Sequence, residues 1–279
     1  MKKILYVVLD GLGDLPCRDL GGKTPLEAAE TPQMDVLAKR GRLGLVHTVG
    51  EGIAPESDIG VISILGYDAM KYYTGRGPLE TFAAGLTVND GDLAYRVNFA
   101  TLGPNGEIVD RRVGRNLTQA EADELCKEVN AKVKLEGAPA TFEFKNTIGH
   151  RGVLVIRSLK GKLSSEVGNT DPAYGKEGPL GVALLKYENK VAKCAPVHGH
   201  ERSRKAKLSA QLTNEFVDKS HQALDACEVN KKRVAAGKLA GNVILTRDGG
   251  DRLPKFPSLS KKFGFKFGCF VEMPVERGI

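Results

Sequence analysis

The chain has 279 residues, with 41 Lys and Arg against 34 Asp and Glu and a formal net charge of +7. Hydrophobic residues at 41% and charged residues at 27% are ordinary globular values; they exclude a disordered or fibrous chain and allow one large domain or two modest ones. The apolar run Ile4 to Leu9 is too short for a membrane span and ends in Asp10 with no small-residue cleavage site after it, so a soluble, untargeted, cytoplasmic protein is expected.

Cys17, Cys126, Cys194, Cys227 and Cys269 lie far apart with no C-x-x-C pair, which argues against a zinc ribbon, a thioredoxin-like site or a disulfide framework. Charge is uneven. Residues 1–185 carry 22 basic and 24 acidic side chains, whereas residues 186–266 carry 18 basic and 8 acidic. A basic half attracts polyanions, but its tyrosines and phenylalanines are not interleaved with the basic residues as base stacking would require. A phosphorylated small molecule or a solvated face explains the charge as well.

In chain order, Ile4-Leu5-Tyr6-Val7-Val8-Leu9 before Asp10-Gly11-Leu12-Gly13 reads as a buried parallel strand followed by a loop. Thr31-Pro32, then Met34, Leu37, Ala38 and Gly41, predict a helix with an N-cap, a proline at N1 and a terminal glycine. A second strand is expected over Leu43 to Val49, and a helix opening at Ser57-Asp58 through Leu65. Tyr72 to Pro78 is glycine-rich and basic. Strands are predicted over Leu93 to Ala100, Thr141 to Phe144 and Gly152 to Ile156, around a helix that starts with the capping box Thr118-Gln119-Ala120-Glu121. A long helix is expected from Ser203 to Cys227, then strands over Asn242 to Thr246 and Phe265 to Val271. Val271-Glu272-Met273-Pro274 reads as the end of a strand and the start of a loop. The expected organisation is a core begun over residues 1–75, an α+β insert over 76–190, and a resumed core over 191–279.

Asp10 falls where open α/β sheets bind ligands, and Ser57 at a helix start, where N–H groups and the macrodipole favour an anion. Taken singly, Ser57 reads first as a plain N-cap, and Asp10 as a cap of the following loop. The two sit within a longer series: Leu9-Asp10-Gly11-Leu12-Gly13-Asp14, Lys23 to Ala29, Thr31 to Asp35, Ala54-Pro55-Glu56-Ser57-Asp58 and Leu65 to Asp68. It continues through Tyr72 to Pro78, Arg96 to Thr101, Asp110 to Arg115 and Asn214 to Phe216. In this order the segments resemble the alkaline-phosphatase superfamily and, within it, the archaeal-type 2,3-bisphosphoglycerate-independent phosphoglycerate mutases.

The resemblance implies an α/β fold with an alkaline-phosphatase-like, mostly parallel sheet interrupted by the smaller α+β insert. It implies Ser57 as a nucleophile coordinated to one of two divalent ions (Mn²⁺, Mg²⁺ or Zn²⁺), with Asp10 as a ligand and no 2,3-bisphosphoglycerate required. The implied reaction interconverts 3-phosphoglycerate and 2-phosphoglycerate through phosphoserine. Held glycerate suits bidentate donors, so Arg111, Arg115, His150, Arg151 and Arg247 are candidates, with Asn98 and Asp110 for its hydroxyls. Each of these is alternatively a surface ion-pair residue. His198 and His200 have H-x-H spacing but match no ligand of the family and read as a solvent-facing pair.

The D-x-x-x-H and D-x-x-G-H segments that complete the family's ligand set are not found among the five histidines of this chain, so an inactive fragment with an unpaired sheet edge is expected. The alternatives are a phosphoesterase or phosphopentomutase on the same core, or a non-catalytic anion- or nucleic-acid-binding module. The sequence leaves the oligomeric state open.

Overall fold

A computed structural model describes residues 3–53, 55–177, 180–271 and 273–279. Its helices and strands are α1 (Pro25–Ala28), α2 (Pro32–Arg40), α3 (Ser57–Ile64), α4 (Ala69–Tyr72), α5 (Arg76–Ala83), β1 (Leu93–Leu102), β2 (Ile108–Asp110) and α6 (Gln119–Lys132). They continue as β3 (Ala140–Asn146), β4 (Arg151–Ser158), β5 (Tyr174–Glu177), β6 (Leu180–Ala183), α7 (Arg204–Asp225), α8 (Glu228–Ala235), β7 (Val243–Gly250), α9 (Leu259–Phe263) and α10 (Pro274–Gly278).

The helices begin where local chemistry predicts. Thr118 accepts from Glu121 N while Glu121 accepts from Thr118 N, the reciprocal capping box of α6. Ser203 caps α7 by accepting from Ala206 N. Pro32 opens α2, but the Thr31 hydroxyl donates to the Asp35 carboxylate instead of capping the backbone.

β1 is buried along almost its whole length because it is central: β4 pairs with one edge and β7 with the other, β3 lies outside β4, and β2 extends the end of β1. Alternation then divides its side chains between two faces. Tyr95, Val97 and Phe99 join Leu154, Ile156, Leu125, Phe216 and Leu224 in the main core, beneath α6 and α7. Ala94, Arg96 and Asn98 occupy the opposite face, toward α5.

Several expectations fail. The described residues over 4–9, 43–49 and 265–271 form no strand, and most of their apolar side chains are exposed: Leu5 is 86% exposed, Leu45 101% and Phe270 105%, while Val49 packs partly against the Ile59 and Leu79 cluster. Composition favours extended backbone there, but a strand persists only when a neighbour takes up its N–H and C=O groups, and among the described residues none does. Every strand pair described is antiparallel, so the mostly parallel sheet is not present among them. The fold shown is α/β with antiparallel sheets. The loop expected at Pro274 is the short helix α10, whose Val275 is buried against Leu79 and Ile59; Glu272 and Ala54 lie outside the described residues. β7 hydrogen-bonds to β1, so the sheet draws strands from both sides of the expected boundary at residue 190.

Candidate active site

Ser57 is the first residue of α3, and Glu56, not Ser57, occupies the N-cap position. The Ser57 side chain is therefore not spent on capping. Its Oγ donates to Asp10 Oδ2 at 2.8 Å, across 47 residues of sequence. Asp10 lies in an exposed turn and Ser57 is half-buried, so the pair forms an accessible corner. The helix start adds a favourable field for an anion there, about 0.3–1 kcal/mol. Beside it, Asp58 is buried and accepts from Ile59 N at 2.9 Å and from the Tyr73 hydroxyl; burial and then the Asp58 charge push the Tyr73 phenol well upward.

A chain of alternating charges leads from this corner to the sheet. Arg76 bridges Glu56 at 3.2 Å and Glu80 at 2.6 Å, and the other Glu80 oxygen lies 3.5 Å from Arg96 Nε. Asp248 Oδ2 stands 4.0 Å from Arg96 Nη1 and 3.6 Å from Arg247 Nε. Arg76, Glu80, Arg96 and Arg247 are all buried. Burial pulls the Arg96 guanidinium down to about 10, with Glu80 opposing it and Arg247 and Arg76 adding to the pull. Burial also pushes the Asp248 carboxyl up to about 6 against the attraction of Arg247 and Arg96.

The charges in this chain are incompletely satisfied. Arg96 Nε, Arg247 Nε and Nη1, Asn98 Oδ1 and Asp248 Oδ1 are buried without a hydrogen-bond partner. Unmatched buried polar atoms are costly, and several on one sheet face point to a polar ligand. The unmet set contains donors suited to an anion and acceptors suited to hydroxyl groups. Arg247 also lies over the Tyr174 ring, 3.9 Å from its centroid.

The remaining candidates divide. Arg111 forks onto Asp171 at 2.9 and 2.6 Å between the rings of Tyr174 and Tyr187, so its guanidinium is already engaged. Asp110 Oδ1 accepts from Arg112 N at 2.6 Å and Gly114 N at 3.0 Å, holding a turn. Arg111, Arg112 and Arg115 line a cavity of about 390 Å³ with Asp110 and Tyr187. His150 is half-buried and lowered to about 4, first by burial and then by Arg151, Arg112, Arg115 and Arg96 around it. Of the sequence candidates, the structure thus gathers Arg115, His150 and Arg151 near Arg96, and places Asn98 and Arg247 on the same sheet face. His198 is exposed, 3.4 Å from Glu201.

Arg76, Glu80, Arg96, Asp171, Tyr174 and Asp248 were not singled out as site residues from the sequence. One signal was readable: Arg96 and Asn98 stand two apart in the strand Leu93–Leu102, so they share a face that an ordinary core strand would fill with apolar groups.

The description of 2,3-bisphosphoglycerate-independent phosphoglycerate mutase matches residues 38–230. A mutase of that name from Aeropyrum pernix is 46% identical over 280 residues, covering 99% of this chain and 64% of the relative. Another from Thermococcus kodakarensis is 41% identical over 279 residues, covering all of this chain and 62% of the relative. The solved cofactor-independent phosphoglycerate mutase of Thermoplasma acidophilum superposes with a TM-score of 0.56 at 35% identity, covering 97% of this chain and 66% of that one. This chain therefore spans less than two thirds of the length of the curated relatives it matches.

Proposed function

Because the chain belongs to the 2,3-bisphosphoglycerate-independent phosphoglycerate mutases, we propose that it carries the phosphoryl-transfer residues of an enzyme interconverting 3- and 2-phosphoglycerate. The observation that carries this reading is the hydrogen bond from Ser57 to Asp10 at the start of α3. A serine hydroxyl is a weak nucleophile and needs a group that orients it and holds its proton. Asp10 Oδ2 accepts the hydrogen bond from that proton and leaves the lone pairs of Oγ free to attack. In the forward half-reaction an Oγ–P bond forms as the bond between phosphorus and the 3-oxygen of glycerate breaks, and the Ser57 proton held by Asp10 passes to that departing oxygen to give free glycerate. In the return half-reaction the 2-hydroxyl of glycerate takes the phosphoryl group and Ser57 regains its proton.

Glycerate must stay bound while phosphoserine exists. The unmatched donors of Arg96 and Arg247 suit its carboxylate, and the unmatched oxygens of Asn98 and Asp248 suit its hydroxyls. Arg112, Arg115, His150 and Arg151 form the neighbouring electropositive wall, favourable to the phosphorylated substrate. The family name itself denotes independence from 2,3-bisphosphoglycerate.

The two divalent ions implied by the family would take Asp10 and Ser57 as donors and would stabilise the serine alkoxide. Among the described residues no group of three or more His, Cys, Asp or Glu gathers to hold a metal. Two oxygens fall short of the four to six such ions require, so these residues do not make a complete centre. The alkaline-phosphatase-like parallel core belongs to the same reading; the β-branched, apolar runs 4–9 and 43–49 keep the composition of its strands. Among the described residues no helix is long and apolar enough to cross a membrane.

The test is a coupled assay of phosphoglycerate interconversion with wild-type protein and Ser57→Ala, in a polypeptide that contains these residues and turns over. Loss of at least 10³-fold in kcat is expected for removal of a covalent nucleophile. Phosphate release without isomerisation would assign a phosphoesterase instead.

A further inference from the structure

Between β2 and α6 the backbone turns through three consecutive left-handed residues: Val113 (φ 53°), Gly114 (φ 60°) and Arg115 (φ 54°). L-residues resist this conformation, β-branched ones most, and Val113 is moreover fully buried. Such a turn persists only where its surroundings over-determine it. On its first side Asp110 Oδ1 accepts from Arg112 N and Gly114 N. On its far side the fixing group comes from a distant helix: Arg233 on α8 donates Nη2 to Asn116 Oδ1 at 2.6 Å. The same fork donates Nη1 to Glu121 Oε2 at 2.7 Å and Nε to Leu239 O at 2.8 Å.

We propose that Arg233 is a positioning residue whose buried guanidinium locks the left-handed turn and thereby holds Arg112 and Arg115 against His150. The Arg233 side chain is 1% exposed, so it touches no ligand itself. Its planar fork satisfies three acceptors from three places in the chain, a geometry that lysine cannot reproduce. A buried charge of this kind is weak evidence for stability alone, because apolar replacements often serve as well. What it specifies is the path of the turn. Among the described residues neither Arg112 nor Arg115 has an ion-pair partner, so the backbone sets where these charges stand. That the two arginines serve a phosphorylated substrate rests on the mutase reading; that Arg233 places them does not.

The experiment therefore needs no ligand. His150 precedes β4 and follows Gly149, whose Cβ position lies 3.6 Å from Leu117 O just past the turn. The charges of Arg151, Arg112 and Arg115 and of Arg96 on β1 act on the His150 imidazole, which therefore reports whether those charges are in place. Its titration is followed by NMR in the 279-residue chain, with assignment by His150→Gln. Asn116→Ala cuts only the link from Arg233 to the turn, and Arg233→Lys keeps the charge but loses the fork. Both should raise the His150 midpoint by roughly half a unit or more, matching the direction seen in an Arg112→Gln/Arg115→Gln control. If Arg233→Lys fails to fold, Asn116→Ala alone decides. An unchanged midpoint in Asn116→Ala beside a raised one in the control overturns the proposal, as does a control that leaves His150 unmoved.

Discussion

Arg96 on β1 stands directly opposite Arg247 on β7 in the antiparallel register, and both side chains are buried. Like charges facing each other across a strand pair are destabilising, and here Asp248 and Glu80 offset them only at 3.5–4.0 Å. A bound anion between the guanidinium groups relieves the repulsion and meets their unmatched N–H donors. Addition of 3-phosphoglycerate should accordingly raise the melting temperature of the chain. At a ligand concentration 100-fold above Kd the gain is about 2.7 kcal/mol, or roughly 5 °C for a chain of this size. Arg247→Ala should abolish the rise. A thermal scan in which wild type and variant respond equally would remove these arginines from the site.

Asp248 makes stability depend on pH in a defined direction. Its carboxyl is raised to about 6 in the folded chain from an ordinary 3.8, chiefly by burial. The folded state thus binds more protons than the unfolded state between these values, and the contribution is present below pH 4 and lost as pH climbs through 6. His150, lowered to about 4 from 6.5, acts oppositely: its contribution is present above pH 6.5 and lost as pH falls toward 4. The two overlap, so the difference between wild type and Asp248→Asn isolates the carboxyl. Denaturant melts should show Asp248→Asn gaining relative to wild type from pH 4 to pH 7, by at most on the order of 3 kcal/mol. A flat difference would mean that the carboxylate is fully compensated by Arg96 and Arg247.

β1, β3, β4 and β7 form where strands are expected, as α2, α3, α6 and α7 do where helices are, whereas the expected strands over 4–9, 43–49 and 265–271 do not form, and the difference has a physical reason. A capping box such as Thr118 with Glu121, or Ser203 before Arg204, satisfies backbone groups within one turn, so the determining chemistry is contiguous in sequence. Ile4 to Leu9 has the composition of a buried strand, but pairing is non-local and no described residue supplies a partner. The site divides the same way. Ser57 and Asp10 were legible through short segments in a characteristic order, whereas the connection Glu56–Arg76–Glu80–Arg96–Asp248 depends on burying charges from four separated segments. A hydropathy pattern scores such residues as surface.

Metal affinity should follow the donor count. With one carboxylate and one hydroxyl at the Ser57 corner, and no third His, Cys, Asp or Glu gathered there among the described residues, Mn²⁺ should bind the 279-residue chain only weakly. Electron paramagnetic resonance of free Mn²⁺ measures this directly. Two tightly held ions per chain, lost in Asp10→Ala, would show that further donors converge on the corner.

The most direct measurement is phosphopeptide mapping of a polypeptide that contains these 279 residues and interconverts the phosphoglycerates, quenched in acid during turnover. Phosphate should be found on the peptide bearing Ser57 and on no other serine, and Ser57→Ala should yield none. Isomerisation that proceeds in Ser57→Ala, or turnover with Ser57 never phosphorylated, would contradict the account.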